Sequence, residues 1–492
     1  MNPLRAVAGR LTATVLVATI VAACGSDDSA GESRSAESPA PRLDQSGSRL
    51  QVRGYEADGI FVLDGLYDTL LGFMCVPAIA SDGVERCVPR DALPFGPYAD
   101  GSDAGPDYAD ATCSTPLVTI PKTSCADPAR VVVRSSGGVG VRDGKSYWRI
   151  GAPATPAKIY PASFGRCRES APLAENAYYE RGAPLSPTEM VAFVRKEEAL
   201  SPAVRAVVLE GEDGSRLQTD RDFIDVARNK PCEIALAGDG VSRCTPLSAS
   251  RALDRMFVDG SCLKAAAAAS PDCLHAACDD STVMFVVHGS ISGECTPDKN
   301  TFYAAGPPVA SGDIYFGSGP ADCRGPATQT GTVIELGAPI APTEFPEVLR
   351  GSAASHSRLV ERTQLIGGVP VAQSSLFDPQ LGAECRLEKA ADGVVRCLPT
   401  EAVSVVPAFA DAACTKPLFS SSSSCPPTVK HARIVEGNAC DPVVRIFSVT
   451  PAARAFERKD GACVETTLYP GTFAAVDELP ATTFAEAKPA TR

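Results

Sequence analysis

Tryptophan occurs once in the 492 residues, at Trp148; histidine occurs four times and methionine five times, and aromatic residues make up 6%. The four histidines, His275, His288, His356 and His431, fall at unrelated places. No His-Glu-x-x-His, Gly-x-Ser-x-Gly, phosphate-cradling glycine loop or dinucleotide fingerprint is present, which removes the commonest hydrolase and nucleotide chemistries. A single Trp argues against a lectin that stacks sugars on aromatic faces. Basic charge is also short. The net charge is −13, and loss of a leader carrying Arg5 and Arg10 would take it to −15, so nucleic acid is not expected as a partner. The longest apolar run, the 13 residues Leu11–Ala23, falls below the ~20 needed to span a bilayer.

That run has a meaning of its own. A basic start, a brief apolar core and Val21-Ala22-Ala23-Cys24-Gly25 describe an export signal. The small residues before Cys24 resemble the lipobox of bacterial lipoproteins, which implies cleavage before Cys24 and lipidation of that cysteine. Residues 24–47 are rich in Ser, Asp, Glu and Pro, without apolar period, and read as a disordered tether. The expected location is the cell envelope, lipid-anchored. Gly25 after the cysteine favours the outer membrane or cell surface over the inner membrane.

Removing Cys24 from 19 cysteines leaves 18, an even set that in an exported chain reads as disulfides. They fall in three repeats. Cys75–Cys87, Cys232–Cys244 and Cys385–Cys397 each enclose eleven residues, and each closes on Asp-Gly-Val-x-Arg-Cys-x-Pro. A second motif comes after each: Tyr108-Ala-Asp110-x-x-Cys113, Phe257-Val-Asp259-x-x-Cys262 and Phe409-Ala-Asp411-x-x-Cys414. The repeats open near Ser-Arg-Leu at Ser48, Ser215 and Ser357, which gives a signal peptide at 1–23, the tether at 24–47, and repeats at 48–214, 215–356 and 357–492.

Equivalent spacing suggests equivalent bonds. Besides the three pairs above, the expected pairs are Cys113–Cys125, Cys262–Cys273, Cys414–Cys425, Cys295–Cys323 and Cys440–Cys463. A clamp, Cys167–Cys278, would join repeats one and two, with Cys262–Cys278 as the alternative.

Short runs of Val, Ile, Tyr and Phe between Gly and Pro are strand signals, so the class is all-β. A propeller-like ring, each repeat supplying more than one blade, is favoured slightly over tandem β domains. The Asp-Gly pairs at 82, 239 and 392 read as hairpin loops of three to five residues with the glycine at a bulge. Two helices are expected: one from the capping box Ser186-Pro187-Thr188-Glu189 into MVAFVRKEEAL, and a weaker one over 248–257.

Candidate chemistry is sparse. Cys273-Leu-His275-Ala-Ala-Cys278 mimics a metal cluster, but an oxidising compartment favours a disulfide. Asp100, Asp103, Asp107 and Asp110 form an acidic insertion of repeat one, read either as a solvated loop or as a calcium site. Arg86, Arg243 and Arg396 either bind one ligand three times or pair with a nearby carboxylate and pack on the sheet. No catalytic residue, metal site or cofactor is assigned.

The approach Tyr67-Asp68-x-x-x-Gly72-x-x-Cys75 and its echo Phe377-Asp378-x-x-x-Gly382-x-x-Cys385, each leading into Asp-Gly-Val-x-Arg-Cys-x-Pro, resemble the cysteine-rich repeats of uncharacterised lipoproteins from GC-rich soil bacteria. The similarity covers most of residues 48–470. It implies exposure and repetition, and no reaction. Repeat two departs from it before Cys232, where Asn229-Lys230-Pro231 stands. The functional expectation is a non-enzymatic binding module of the envelope. Its partners would be the bilayer through Cys24 and an envelope protein or glycan. A structural spacer and an unrecognised carboxylate-based hydrolase are the alternatives.

Overall fold

The computed structural model describes residues 43–492 apart from 91, 95–106, 123–131, 136–144, 164–165, 200, 247–249, 269–284, 291–298, 311–312, 318, 328–332, 353–356, 367–368, 371–374, 401, 421–428, 438–441 and 469–470. The described residues are all-β: strands, with three 3-10 turns at Pro187–Glu189, Pro342–Glu344 and Ala481–Thr483. Glu37–Arg492 forms one compact unit.

Three antiparallel sheets make the centre, two of five strands and a third in which a short sixth strand, Val369–Pro370, pairs with Val360–Ile366 beside a five-stranded path. Sheet one runs Ala487–Thr491, Leu50–Ala57, Ile60–Asp68, Phe73–Ile79, Glu85–Pro89. Sheet two runs Phe193–Ala199, Val204–Gly211, Arg216–Asp225, Lys230–Leu236, Ser242–Pro246. Sheet three runs Val348–Ser352, Val360–Ile366, Ser375–Asp378, Ala383–Lys389, Val395–Pro399. The sheets pack pairwise along three seams. Leu50, Val52 and Leu66 of sheet one meet Phe193 and Leu209 of sheet two. Val204 and Phe223 of sheet two meet Val348 and Ile366 of sheet three. Leu359, at the foot of sheet three, and Leu376 within it meet Ala57 and Ile60 of sheet one. The last strand of the chain thus completes the first sheet, and the ring closes.

Each sheet keeps a disulfide at its heart. Cys75–Cys87, Cys232–Cys244 and Cys385–Cys397 are bonded as expected and lie in the three seam cores. The hairpin between them conforms to the Asp-Gly reading. Ala80 N–H donates to Val84 O and Gly83 N–H to Ala80 O, with Gly83 at φ +77, where a side chain would be strained. Gly240 and Gly393 repeat that geometry.

The other half of each repeat is a barrel-like sheet, so a repeat gives the ring one sheet and not several propeller blades. In repeat two, Ser250–Phe257, Ala265–Ala268, Val333–Ile340, Lys299–Val309 and Phe285–Ser290 close into a five-stranded barrel. In repeat three, Ala402–Phe409, Pro417–Ser420, Thr472–Glu478, Val443–Pro451 and His431–Glu436 do the same. Repeat one has the same order, from Leu93–Pro94 through Val132–Ser135, Ser146–Ala154 and Asn176–Leu185 to Leu117–Pro121, without a closing pair among the described residues.

Several expectations are corrected. The helix after Glu189 is absent. Its capping contact forms, with Ser186 N–H donating to Glu189 Oε2 at 2.8 Å, but Met190 is already extended at φ −97, ψ 139. Phe193–Ala199 then pairs along its whole length with Val204–Gly211, and Phe193 is buried while Val194 faces solvent. Ladder pairing and seam burial outweigh the weak helical preference of a Val- and Phe-containing segment. The weaker helix over 248–257 is likewise a strand, Ser250–Phe257.

The second set of disulfides is also different. Cys113 bonds Cys167, Cys262 bonds Cys323 and Cys414 bonds Cys463. This replaces the pairs Cys113–Cys125, Cys262–Cys273, Cys414–Cys425, Cys295–Cys323, Cys440–Cys463, Cys167–Cys278 and Cys262–Cys278. The other cysteines of those pairs, Cys125, Cys273, Cys278, Cys295, Cys425 and Cys440, lie outside the described residues, as does Cys24. Register puts Val204, not Leu217, in the place of Leu50 and Leu359, so repeat two begins near Ser201 in the fold and Ser215 immediately precedes its second strand, Arg216–Asp225. The folded body also starts before residue 48, because Gln45 makes a β-bridge to Arg216.

Candidate functional site

The recurring arginines are seam joints. Arg86 Nε donates to Asp82 Oδ2 at 2.9 Å, and its Nη1 donates to Met190 O at 2.8 Å. Arg243 does this with Asp239 and Phe345 O, both at 3.1 Å, and Arg396 with Asp392 and Phe484 O, both at 3.0 Å. The residue after each arginine completes the joint: Cys87, Cys244 and Cys397 N–H donate at 2.9 Å to Val191, Pro346 and Ala485 O. Each Asp is bound on its other side by an amide two residues on, from Val84, Val241 or Val394, which is an Asx turn. The arginine hydrogen bond is the largest effect and, with the amide, holds all three carboxyls below the usual range against burial, which ranks second and acts the other way. The guanidinium donors face protein acceptors, so the repeated arginine serves the fold.

A deeper ion pair backs each joint. Asp68, Asp225 and Asp378 are buried and pair with Arg49 at 2.7 Å, Arg228 at 2.8 Å and Arg358 at 2.6 Å. Each arginine also donates to a carbonyl of the 3-10 turn that leads into the next sheet, Glu189 O, Glu344 O or Thr483 O. A buried pair satisfied on all sides ties the sheet to its neighbour. Sequence reasoning missed it, although both halves stood in the recurring motifs, Ser-Arg-Leu and Tyr/Phe-Asp. In repeats one and three the arginine stands in Ser-Arg-Leu, whereas in repeat two the Asp is kept as Asp225 and the arginine is Arg228.

The second recurring Asp builds the barrels. Asp110 is held well below the usual carboxylate range by the Thr112 hydroxyl and then by the amides of Ser114 and Thr115. Asp259 is lowered by the Ser261 hydroxyl and the Lys264 and Leu263 amides, Asp411 by the Lys416 amide and the Thr415 hydroxyl. The capped loop sets Cys113, Cys262 and Cys414 in the left-handed region, φ 50 to 52, and from there each reaches its disulfide partner beyond the barrel strands.

Features present three times build the ring and barrels. The clearest departure is Asp107. It is 2% exposed, and its Oδ2 accepts from Thr119 Oγ1 at 2.6 Å. Asp107 stands three positions before Asp110, and Met256 and Ala408 stand three positions before Asp259 and Asp411. Burial pushes the Asp107 carboxyl up, against the Thr119 hydrogen bond. Of the other acidic residues of this insertion, Asp100 and Asp103 lie outside the described residues. His431 is a second departure: it is 6% exposed, and burial, then Lys430, lower its pKa. His275, His356 and Ser421–Ser424 lie outside the described residues, and His288 lies in the strand Phe285–Ser290. Trp148 is covered by Arg181, whose guanidinium carbon lies 5.2 Å from its ring. Among the described residues no group of three His, Cys, Asp or Glu side chains is placed to hold a metal ion.

One family model matches the chain twice, over 98–293 and 284–481. The chain belongs to this family, DUF7481, a family of unknown function. The first match runs from the barrel of repeat one through sheet two and into the barrel of repeat two; the second runs from the barrel of repeat two through sheet three and into the barrel of repeat three. The family unit is thus barrel, sheet and barrel, longer than one repeat and out of phase with the cysteine motifs. No curated protein and no solved structure matches the chain.

Proposed function

We propose that this protein is an exported lipoprotein, anchored through Cys24, whose folded body is a non-enzymatic binding module of the bacterial cell envelope. The observation that carries the reading is a body cross-linked by at least six disulfides, downstream of a leader ending Val-Ala-Ala-Cys. Disulfides at this density belong to an oxidising compartment. The closed ring supports a binding role over a spacer, because a chain whose last strand returns to its first gains rigidity and gives up reach. The partner would be an envelope protein or glycan.

The test has two parts. Cells fed an alkyne fatty acid should label the wild-type protein, and Cys24→Ser should lose the label and leave the membrane fraction. Label retained in Cys24→Ser would refute the anchor. The purified protein should bind one component of a panel of isolated wall polymers and outer-membrane proteins without degrading it. Turnover of a panel member would move the reading to the hydrolase.

A further inference from the structure

Each ring sheet opens on a strand that follows a 3-10 turn, and two of these strands differ from the third in how they are joined. After Pro187–Glu189 and Pro342–Glu344, the strands Phe193–Ala199 and Val348–Ser352 run on directly into Val204–Gly211 and Val360–Ile366, the strands with which they pair. The third segment, residues 480–492, does not. Its strand Ala487–Thr491 pairs with Leu50–Ala57, from the other end of the chain. Donor and acceptor are not joined by a turn, so this one position of the three can be filled by a separate molecule.

This arm also has the smallest apolar anchor. Glu486 bridges Arg396 as Ala192 bridges Arg86 and Glu347 bridges Arg243, so Ala487 holds the place of Phe193 and Val348. All three are buried, and alanine removes the least apolar surface from water. Phe484 is buried in one cluster with Leu398 and Ile446. Thr483 O accepts Arg358 Nη2 at 2.6 Å, Phe484 O accepts Arg396 Nη1 at 3.0 Å and Ala485 O accepts Cys397 N–H at 2.9 Å. Arg492 N–H donates to Val52 O at 3.0 Å, its carbonyl accepts Ser46 Oγ, and its guanidinium carbon lies 4.2 Å from the Phe61 ring centroid. The same arm from another copy would make each of these contacts again.

The seam that the arm leaves has a hold of its own. Asp58 Oδ2, in the turn after Leu50–Ala57, accepts Arg358 N–H at 2.6 Å and Leu359 N–H at 2.7 Å, from sheet one to sheet three. Asp213 Oδ2 latches sheet two to sheet one in the same way, on the amides of Arg49 and Leu50 at 3.1 and 2.6 Å. Ala57 and Ile60 pack with Leu359 and Leu376 besides.

We infer that the edge of Leu50–Ala57 is a strand-acceptor site whose fitting partner is a second copy of this chain: residues 480–492 leave their own ring and close another. An extended arm of this length reaches about 40 Å. Exchange of an identical element remakes the contacts that it breaks, which makes it a low-cost route to a dimer.

The register supplies the test. Glu56 and Lys488 stand opposite one another, both exposed. The Cα atoms of such a pair lie about 5 Å apart, within disulfide reach. The full chain would be made as Glu56→Cys, as Lys488→Cys and as the double variant. The double variant should cross-link within one molecule; failure to do so would mean that the arm does not seat in sheet one, and would overturn the inference. The two single variants, held together at high concentration and then mildly oxidised, should give a covalent heterodimer in excess of both homodimers, with a yield that rises with concentration. A heterodimer no more abundant than the homodimers, beside a double variant that closes on itself, would overturn the inference as well. Light scattering on the unaltered chain should show a dimer fraction that grows with concentration, and a monomer at every concentration would count against exchange in the same way.

Discussion

The ring and the barrels use the same three repeats, and they have diverged to different degrees. The ring sheets are near copies, each with a disulfide of sequence separation 12, an Asx hairpin and an arginine joint. The barrels vary. Their disulfides span 54, 61 and 49 residues, one barrel lacks the closing pair among the described residues, and one buries an Asp where the others place Met or Ala. The difference comes from contact. Each ring sheet must fit two copies of itself, so a change in one joint spoils closure for all three. A barrel does not take part in that closure and tolerates insertions, and the long acidic segment is found there.

Four perturbations sharpen the contrast. The largest effect is expected in the barrels. Replacing Cys113 and Cys167 by Ser removes a link across 54 residues, about 4 kcal/mol on the chain-entropy model, against about 3 kcal/mol for Cys232 and Cys244 with 12. Denaturant unfolding of both double variants tests the order, and a larger loss at Cys232–Cys244 would mean that seam packing dominates. Next, Arg243→Ala should cost about 3 kcal/mol, because it strands the Phe345 carbonyl and the Asp239 carboxylate at a seam. An equal loss in Arg458→Ala, whose long bond to Cys414 O lies in a barrel, would erase the distinction. Third, Asp213→Ala should cost about 1 to 3 kcal/mol by leaving the Leu50 amide without its acceptor, where Ser201→Ala costs less because it crosses no seam.

The smallest effect separates ring from barrel by pH. Asp82, Asp239 and Asp392 have lowered pKa values in the fold, so their contribution is present above the unfolded value near 4 and fades as pH falls below it. Asp107 is raised, so the sign reverses: its protonated form suits the fold, and stability drops as pH climbs from about 4 through the raised value. Asp107→Asn should therefore raise the neutral-pH melting temperature on the order of 1 °C and leave it unchanged in acid. A lower melting temperature at neutral pH would show that the charged carboxylate is wanted there.

The fold class and the ring disulfides were legible because their signals are local. Eleven residues, an Asp-Gly loop and alternating apolar positions specify a hairpin without reference to anything distant. The barrel disulfides were not legible, because Cys113 lies closer in sequence to Cys125 than to Cys167, and only the Asp110 loop turns it toward the latter. The helix failed for a related reason. Ser186 and Glu189 do start a helical turn, but pairing with Val204–Gly211, set by the ring, makes the next residues a strand. Arg49–Asp68 was hidden in a different way: each half reads as punctuation of its own motif. Asp107 stands out in the sequence for its charge, and its importance lies in its burial.

The N-terminal segment enters the body at a particular place. Leu43 N–H donates to Gln218, Asp44 Oδ1 accepts Gln218 N–H, and Gln45 exchanges two backbone bonds with Arg216, all on sheet two, before the chain crosses to sheet one at Leu50. Ser46 meanwhile donates to Arg492 O, on the closing strand. Any pull along the chain ahead of Leu43 is therefore carried first by sheet two and passes to sheet one through the seam that Asp213 latches. Mechanical load therefore enters through sheet two and reaches sheet one where the Asp213 carboxylate holds the amides of Arg49 and Leu50.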